Sequence, residues 1–297
     1  MPFVHTSVWP LFTHVCGLQR RRDWILDKFD ANTVHSLPSP VRYRDFVDHE
    51  LVNFSNADNI RSIPSVIDGL KPSQRKVLFG CFKRKQKAEV KVAQLAGYIA
   101  EHTAYHHGEM SLYSTIVGMA QDYVGANNVP LLSPNGQFGT RLSGGKDSAS
   151  PRYIFTQLQT AARKIFPEAD DSLLASQFDD GQPIEPVNFA PIIPLLLVNG
   201  AQGIGTGWAT SVPKYHPLDV VNSIRAKLNG DAIKPLSPHY NNFKGEIVPE
   251  GNGKGSYLTR GIIEEVSSKE AVITELPVGT WTSNYKEVRR RGERGGA

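Results

Sequence analysis

Cysteine is scarce: the 297 residues include two, Cys16 and Cys81. Neither sits in a Cys-x-x-Cys or Cys/His metal spacing, and a secreted scaffold stapled by disulfides would use more of them, so a reducing compartment is expected. Long apolar runs are also lacking. The longest, Ile192 to Val198, is interrupted by Pro194 and falls far short of the roughly 18 residues that span a bilayer as a helix. No transmembrane helix and no membrane partner are expected. The apolar N-terminal stretch has no early basic region, because Arg20, Arg21 and Arg22 follow it rather than precede it. That order suits a secretory signal poorly, and an intracellular protein is expected. Charge is too sparse, at 21%, for a disordered chain, while 40% hydrophobic and 9% aromatic residues are ordinary for a globular one. A chain of this length holds two domains, or one with a long extension.

What is present is unevenly placed. The net charge of +4 hides a segment, Gly69 to Lys91, with eight bases (Lys71, Arg75, Lys76, Lys83, Arg84, Lys85, Lys87, Lys91) against one acid, Glu89. That is the footprint of a polyanion-binding surface, although a solvated helix face would look similar. Before it, Tyr43, Phe46, Val47, Leu51 and Phe54 recur at three- and four-residue spacing and predict a helix. Within it, Pro72 opens a second helix whose stripe Val77, Leu78, Cys81 and Phe82 turns inward while Arg75, Lys76 and Lys83 face outward. Lys91 to Ile99 predicts a short third helix, giving a pair around a turn that resembles a helix-turn-helix. Leu112, Ile116, Met119 and Tyr123 predict another after Gly108. Asn127-Asn128, Ser133 to Gly136 and Ser143 to Gly145 then punctuate a loop-rich stretch with room for short wing strands.

Leu173 to Pro186, with Asp179, Asp180, Gly181 and two prolines, reads as a connector. Beyond it come an apolar strand at Leu195 to Val198, a glycine-dense run, a helix from Pro217 through Leu228, and alternating segments at Ser256 to Val266 and Ala271 to Leu276. The tail from Arg289 to Ala297 is basic and glycine-rich, caps no element and reads as an early stop. The expected organisation is a leader over 1–40, a first domain over 41–172, a connector over 173–186 and a second, mixed α/β domain over 187–297.

Four sequence blocks are more specific than any periodicity. They are Ser62 through Lys76 (SIPSVIDGLKPSQRK), Thr103 through Glu109 (TAYHHGE), Asn135 through Arg141 (NGQFGTR) continuing by Gly144-Gly145-Lys146-Asp147 to Arg152-Tyr153, and Asn199 through Trp208 (NGAQGIGTGW). Together and in this order they resemble the DNA-cleaving region of type II DNA topoisomerases. The double histidine and the Gly-Gly-Lys-Asp block resemble the eukaryotic enzymes more than bacterial ones. The resemblance runs from about Trp24 to Tyr285 and does not include Met1 to about Leu18. It implies an α+β fold, a winged-helix domain followed by a partial tower-like domain, and a nuclear location.

The resemblance also implies chemistry. A tyrosine that holds a DNA phosphate as an ester keeps the phosphodiester energy and makes resealing possible without ATP. A phenol of pKa about 10 needs cations or donors to favour its phenolate and the pentacovalent transition state. By the resemblance Tyr153 is the nucleophile, with Arg152 and His107 stabilising phosphate and oxyanion; by its local sequence alone, Tyr153 is one packed aromatic among ten tyrosines. Lys71, Arg75, Lys76, His106, Arg141 and Lys146 are implied contacts to double-stranded DNA, phosphate-directed and therefore salt-dependent. Glu109, beginning a helix, suits a structural role at its positive end. Ile204 matches an isoleucine that wedges between base pairs, yet a glycine-flanked aliphatic is equally a turn residue packed in a core. The surrounding Gly-x-Gly-x-Gly lacks the strand-turn-helix spacing of a nucleotide fingerprint.

The family takes Mg²⁺ from a Toprim module built on Glu-Gly-Asp-Ser and Asp-x-Asp motifs, and neither occurs in this sequence. Arg22 to Ile25 resembles that module's exit. Mg²⁺ and ATP are thus implied by the family with their modules absent from this chain, as are the segments that supply most of the dimer interface. Two expectations follow: a breakage-reunion region acting as a homodimer or with a Toprim- and ATPase-containing chain, or a non-catalytic DNA-binding unit that cannot cleave alone.

Overall fold

The computed structural model describes residues 17–33, 39–85, 88–251 and 255–294, the last five of these by backbone only. The expected leader up to residue 16, Lys87 of the basic segment and the last three residues of the tail lie outside them. Helix α1 (Gly17–Lys28) is followed by α2 (Tyr43–Phe46), which runs through a π-helical turn, Val47–Leu51, into α3 (Val52–Ser62). The helix expected over 43–54 is therefore longer and wider in its middle. Next come α4 (Pro72–Lys83), β1 (Val90–Lys91), α5 (Val92–Thr103) and α6 (Glu109–Ala120). A loop-rich stretch returns through β2 (Phe155–Thr156), antiparallel to β1, and α7 (Thr160–Ile165).

Helices α4, α5 and α6 surround one core in which Val77, Leu78, Cys81, Val92, Leu95, Ile99, Leu112 and Ile116 are shielded from water. The expected stripes are these residues. Burial pushes the Cys81 thiol up to about 12, which makes it an inert core group. Tyr123 falls beyond α6, because Gln121 turns extended and spends its side-chain amide on Phe138 O and Gly145 O.

The stretch 173–186 is not a bare connector. Hairpin β3 (Ser176–Asp179) and β4 (Gln182–Pro186) forms there, preceded by a 3-10 turn over Glu168–Leu173. Its buried Glu185 binds Lys76 at 2.8 Å, and the hydrophobic core continues through Phe189, Leu195, Val198 and Val220. The expected strand Leu195 to Val198 is instead a helical turn, α8 (Leu195–Val198), with Pro194 at its N-cap. Leu195 and Val198, three apart, share its buried side, and a short apolar run does not by itself separate strand from helix.

Hairpin β5 (Ala201–Ile204) and β6 (Ala209–Val212), helix α9 (Pro217–Asn229), hairpin β7 (Glu246–Pro249) and β8 (Tyr257–Arg260), ribbon β9 (Ile262–Ser267) and β10 (Glu270–Glu275), and α10 (Thr282–Arg294) complete the chain. The glycine-rich tail expected to cap nothing enters α10 as far as Arg294. Asn128 ties this part to the rest: its amide contacts Val198 O, Tyr215 O and His239 O at 2.9 to 3.2 Å, and its Oδ1 accepts from Asn241 N. The architecture is α+β, helices with small antiparallel sheets. Among the described residues no helix is long and apolar enough to cross a membrane.

Candidate functional site

Tyr153 ends a turn, Pro151 to Tyr153, closed by Tyr153 N donating to Ser150 O at 2.9 Å. The first amides of α5 hold this turn, since Val92 N donates to Ile154 O and Ala93 N to Pro151 O at 3.0 and 3.1 Å. Ile154 and Thr156 are buried on either side of exposed Phe155, while the Tyr153 side chain is 76% exposed. It is not a packed aromatic. It makes no hydrogen bond or ring contact among the described residues, so the hydroxyl is presented outward from a backbone that cannot easily move. Arg152 is exposed beside it, and its charge reaches the Tyr113 hydroxyl on α6.

His107 lies in the loop before α6, edge-on to Tyr105 with ring centroids 5.6 Å apart. Partial burial, foremost, and then the charges of Arg61, His106 and Lys76 hold its pKa below the ordinary value. A cationic neighbourhood of this kind favours neutral imidazole until an anion arrives. His106, also exposed, has Nε2 3.7 Å from the Asp179 carboxylate. Glu109 opens α6 and accepts a 3.0 Å bond from Tyr113 one turn on. Among the described residues no hydrogen bond or ring contact joins Tyr153 to His107; the structure gathers His107 with Arg61 and Lys76, and directs Arg152 toward α6.

Two expected DNA contacts are corrected. Arg75 is 5% exposed, and its guanidinium grips the fully buried Asp68 through bonds of 2.7 and 3.0 Å, while Asp68 also accepts from Leu70 N and Phe189 N. Arg75 falls three and seven residues before Leu78 and Phe82, on the inward face of α4, so it does not face outward. Lys76 spends its ammonium on Thr103 O and Glu185. Arg141 is likewise engaged, with the Glu275 carboxylate and Leu276 O, which fastens the 139–147 loop to β10. Lys146 on that loop is exposed.

Between the N-terminal end of α4, the outer side of α6 and the second part of the chain lies a cleft of about 1170 Å³. Arg61, Lys71, Gln74, Ser114 and Lys214 line it. Burial lowers the pKa of both Lys71 and Lys214, and Lys214 has the Tyr240 ring 5.9 Å from its nitrogen. Sequence reasoning missed Arg61 and Lys214. Arg61 was detectable as the base that precedes the first block, whereas nothing local marks Lys214.

Ile204 ends β5 and is 83% exposed at the tip of its hairpin, which excludes the core alternative. The flanking glycines serve close approach: a Cβ on Gly203 would collide with Ser62 O, and one on Gly205 with Asn59 Oδ1. The glycine run therefore forms a hairpin seated on α3, not a nucleotide loop.

Comparison with known proteins follows the same residues. The family model described as DNA gyrase/topoisomerase IV matches residues 61–291. The chain is 56% identical over 277 residues to DNA topoisomerase 2 of Bombyx mori, covering 93% of this chain and 18% of that protein. It is 52% identical over 279 residues to DNA topoisomerase 2-beta of Homo sapiens, covering 90% and 17%. Its backbone matches the crystal structure of the Plasmodium falciparum topoisomerase II DNA-binding, cleavage and re-ligation domain with a TM-score of 0.83 at 45% identity, over 95% of this chain and 38% of that one. The chain thus spans less than a fifth of the curated relatives it matches.

Proposed function

The chain belongs to the type II DNA topoisomerase family, and on that premise we propose that it is a breakage-reunion region whose nucleophile is Tyr153. The Tyr153 oxygen attacks a backbone phosphorus of double-stranded DNA. The bond from phosphorus to the 3′ oxygen breaks, the phenol proton is given up, the 3′ hydroxyl takes one up, and a 5′-phosphotyrosine is left. Attack by the 3′ hydroxyl reverses every change. The observation that carries this reading is a tyrosine exposed on a turn pinned to α5, with the guanidinium of Arg152 next in sequence. Arg152 compensates phosphate charge, and His107, held neutral among cations, becomes a donor as the phosphate arrives.

Lys71, Arg61 and Lys214 would take DNA phosphates in the cleft, with His106 and Lys146 as further contacts. Ile204 would enter the base stack as a wedge that bends the duplex. Among the described residues no three His, Cys, Asp or Glu side chains form a metal site. They do not fit a resident Mg²⁺, and the roles assigned to this chain run on its tyrosine, arginine and histidine. The family's Mg²⁺ and ATP would act through other segments, in a dimer or with a Toprim- and ATPase-containing chain, in the nucleus.

A covalent-trapping assay tests the proposal. Supercoiled plasmid, Mg²⁺, a Toprim-containing partner and this chain should give DNA linked to protein after denaturation, and Tyr153→Phe should give none. An adduct that persists in Tyr153→Phe, or its absence with the native chain, refutes the assignment. In the second outcome, salt-sensitive DNA binding would leave the non-catalytic reading, which the lack of a metal cluster among the described residues favours.

A further inference from the structure

The hairpin that carries Ile204 is held from two sides, and one of them is a helix outside the winged-helix core. Arg22 of α1 donates from Nε to Gly207 O at 2.5 Å and lays its guanidinium 5.7 Å from the centre of the Trp208 ring. From α3, Asn59 Nδ2 donates to Thr206 O at 3.0 Å, and Thr206 Oγ1 donates to Asp58 Oδ2 at 3.3 Å. Both contacts lie in the turn 205–208, next to the exposed tip. Helix α1 is itself anchored, because Ile25 is buried and Trp24 Nε1 donates to Asp48 Oδ1 at 3.1 Å. Arg22 therefore connects a fixed helix to the turn.

A wedge that unstacks bases works only if its support does not yield, since unstacking is costly and a loose hairpin would fold back instead. A two-stranded ribbon alone is marginal in water. We infer that Arg22 is a positioning residue for DNA bending: it braces the 205–208 turn so that Ile204 is presented rigidly to the base stack. This rests on the reading of Ile204 as a wedge. Because the guanidinium both donates to a carbonyl and stacks on an indole, charge alone does not replace it; a lysine has neither the planar face nor the fork.

The test measures bend and affinity separately on the 297-residue chain, using a duplex of roughly 30 base pairs with a dye at each end, at saturating protein. Energy transfer reads the bend, and anisotropy titration reads binding. Arg22→Ala should lose more than about half of the bend signal while the Kd rises less than about threefold, since most affinity comes from phosphates. Arg22→Lys should behave like Arg22→Ala, and both should melt close to the native temperature. Thr206→Val, which loosens the same turn from the α3 side, should reduce the bend as well and covers the case of an Arg22 variant that does not fold. Full bending by Arg22→Ala overturns the inference, and full rescue by Arg22→Lys replaces it with a direct charge contact to DNA. Ile204→Ala separates the two layers: if it still bends DNA, the wedge reading itself fails; if it does not and Arg22→Ala does, only the brace fails.

Discussion

Two sets of cations within one short stretch of chain have opposite fates. Arg75 and Lys76 point into the protein, where Asp68 and Glu185 neutralise them. Lys71, five residues before Lys76, lines the open cleft with Arg61 and Lys214 and has no carboxylate partner among the described residues. A basic run is therefore not a uniform phosphate-binding surface. Its members divide by whether a buried acid waits for them, and the division separates stability from DNA affinity.

The largest effect expected from that division is on folding. Arg75→Ala leaves Asp68 charged and buried, with one set of its bonds gone, and should destabilise the chain by about 3–5 kcal/mol. Denaturant titration checks this; a loss under about 1 kcal/mol would return Arg75 to the surface set. Asn128→Ala strips donors from three carbonyls at the junction and should cost about 1–3 kcal/mol by the same measurement.

The cleft set should do the reverse. Lys71→Ala and Lys214→Ala should each leave the melting temperature nearly unchanged and flatten the slope of log K against log salt by about 0.9. An unchanged slope for Lys214→Ala removes it from the interface. The smallest effect concerns pH. The His107 pKa lies below its ordinary value in the free protein, and a bound phosphate raises it. DNA binding thus takes up a proton and tightens as pH falls from neutrality toward the ordinary histidine range. His107→Gln should lose that dependence, and a native chain whose binding is flat with pH would contradict the assignment.

Much of this was legible beforehand because it is local. The stripe Val77, Leu78, Cys81 and Phe82 follows from helical spacing, and its burial was readable without coordinates. The four blocks mark Tyr153, Arg152, His107 and Ile204 by residue identity. Legibility stopped where a side chain's partner lies far along the chain. Lys76 and Glu185 are 109 residues apart, Arg141 and Glu275 more so, and no period in the sequence records either pair. The same limit hid the β3–β4 hairpin, whose turn residues Asp180 and Gly181 read equally well as a linker.

By itself, then, the sequence determined which side chains carry the chemistry and which faces of α4, α5 and α6 meet, since both depend on residue type and spacing within a few turns. Only the tertiary structure decided which cations remain free for DNA, that Tyr153 and Ile204 stand clear of the core, and that α1 reaches the turn beside Ile204. Those are questions of what lies opposite a side chain in space. Burial makes the answers strict, because a charge without a partner is expensive inside the protein and cheap at its surface.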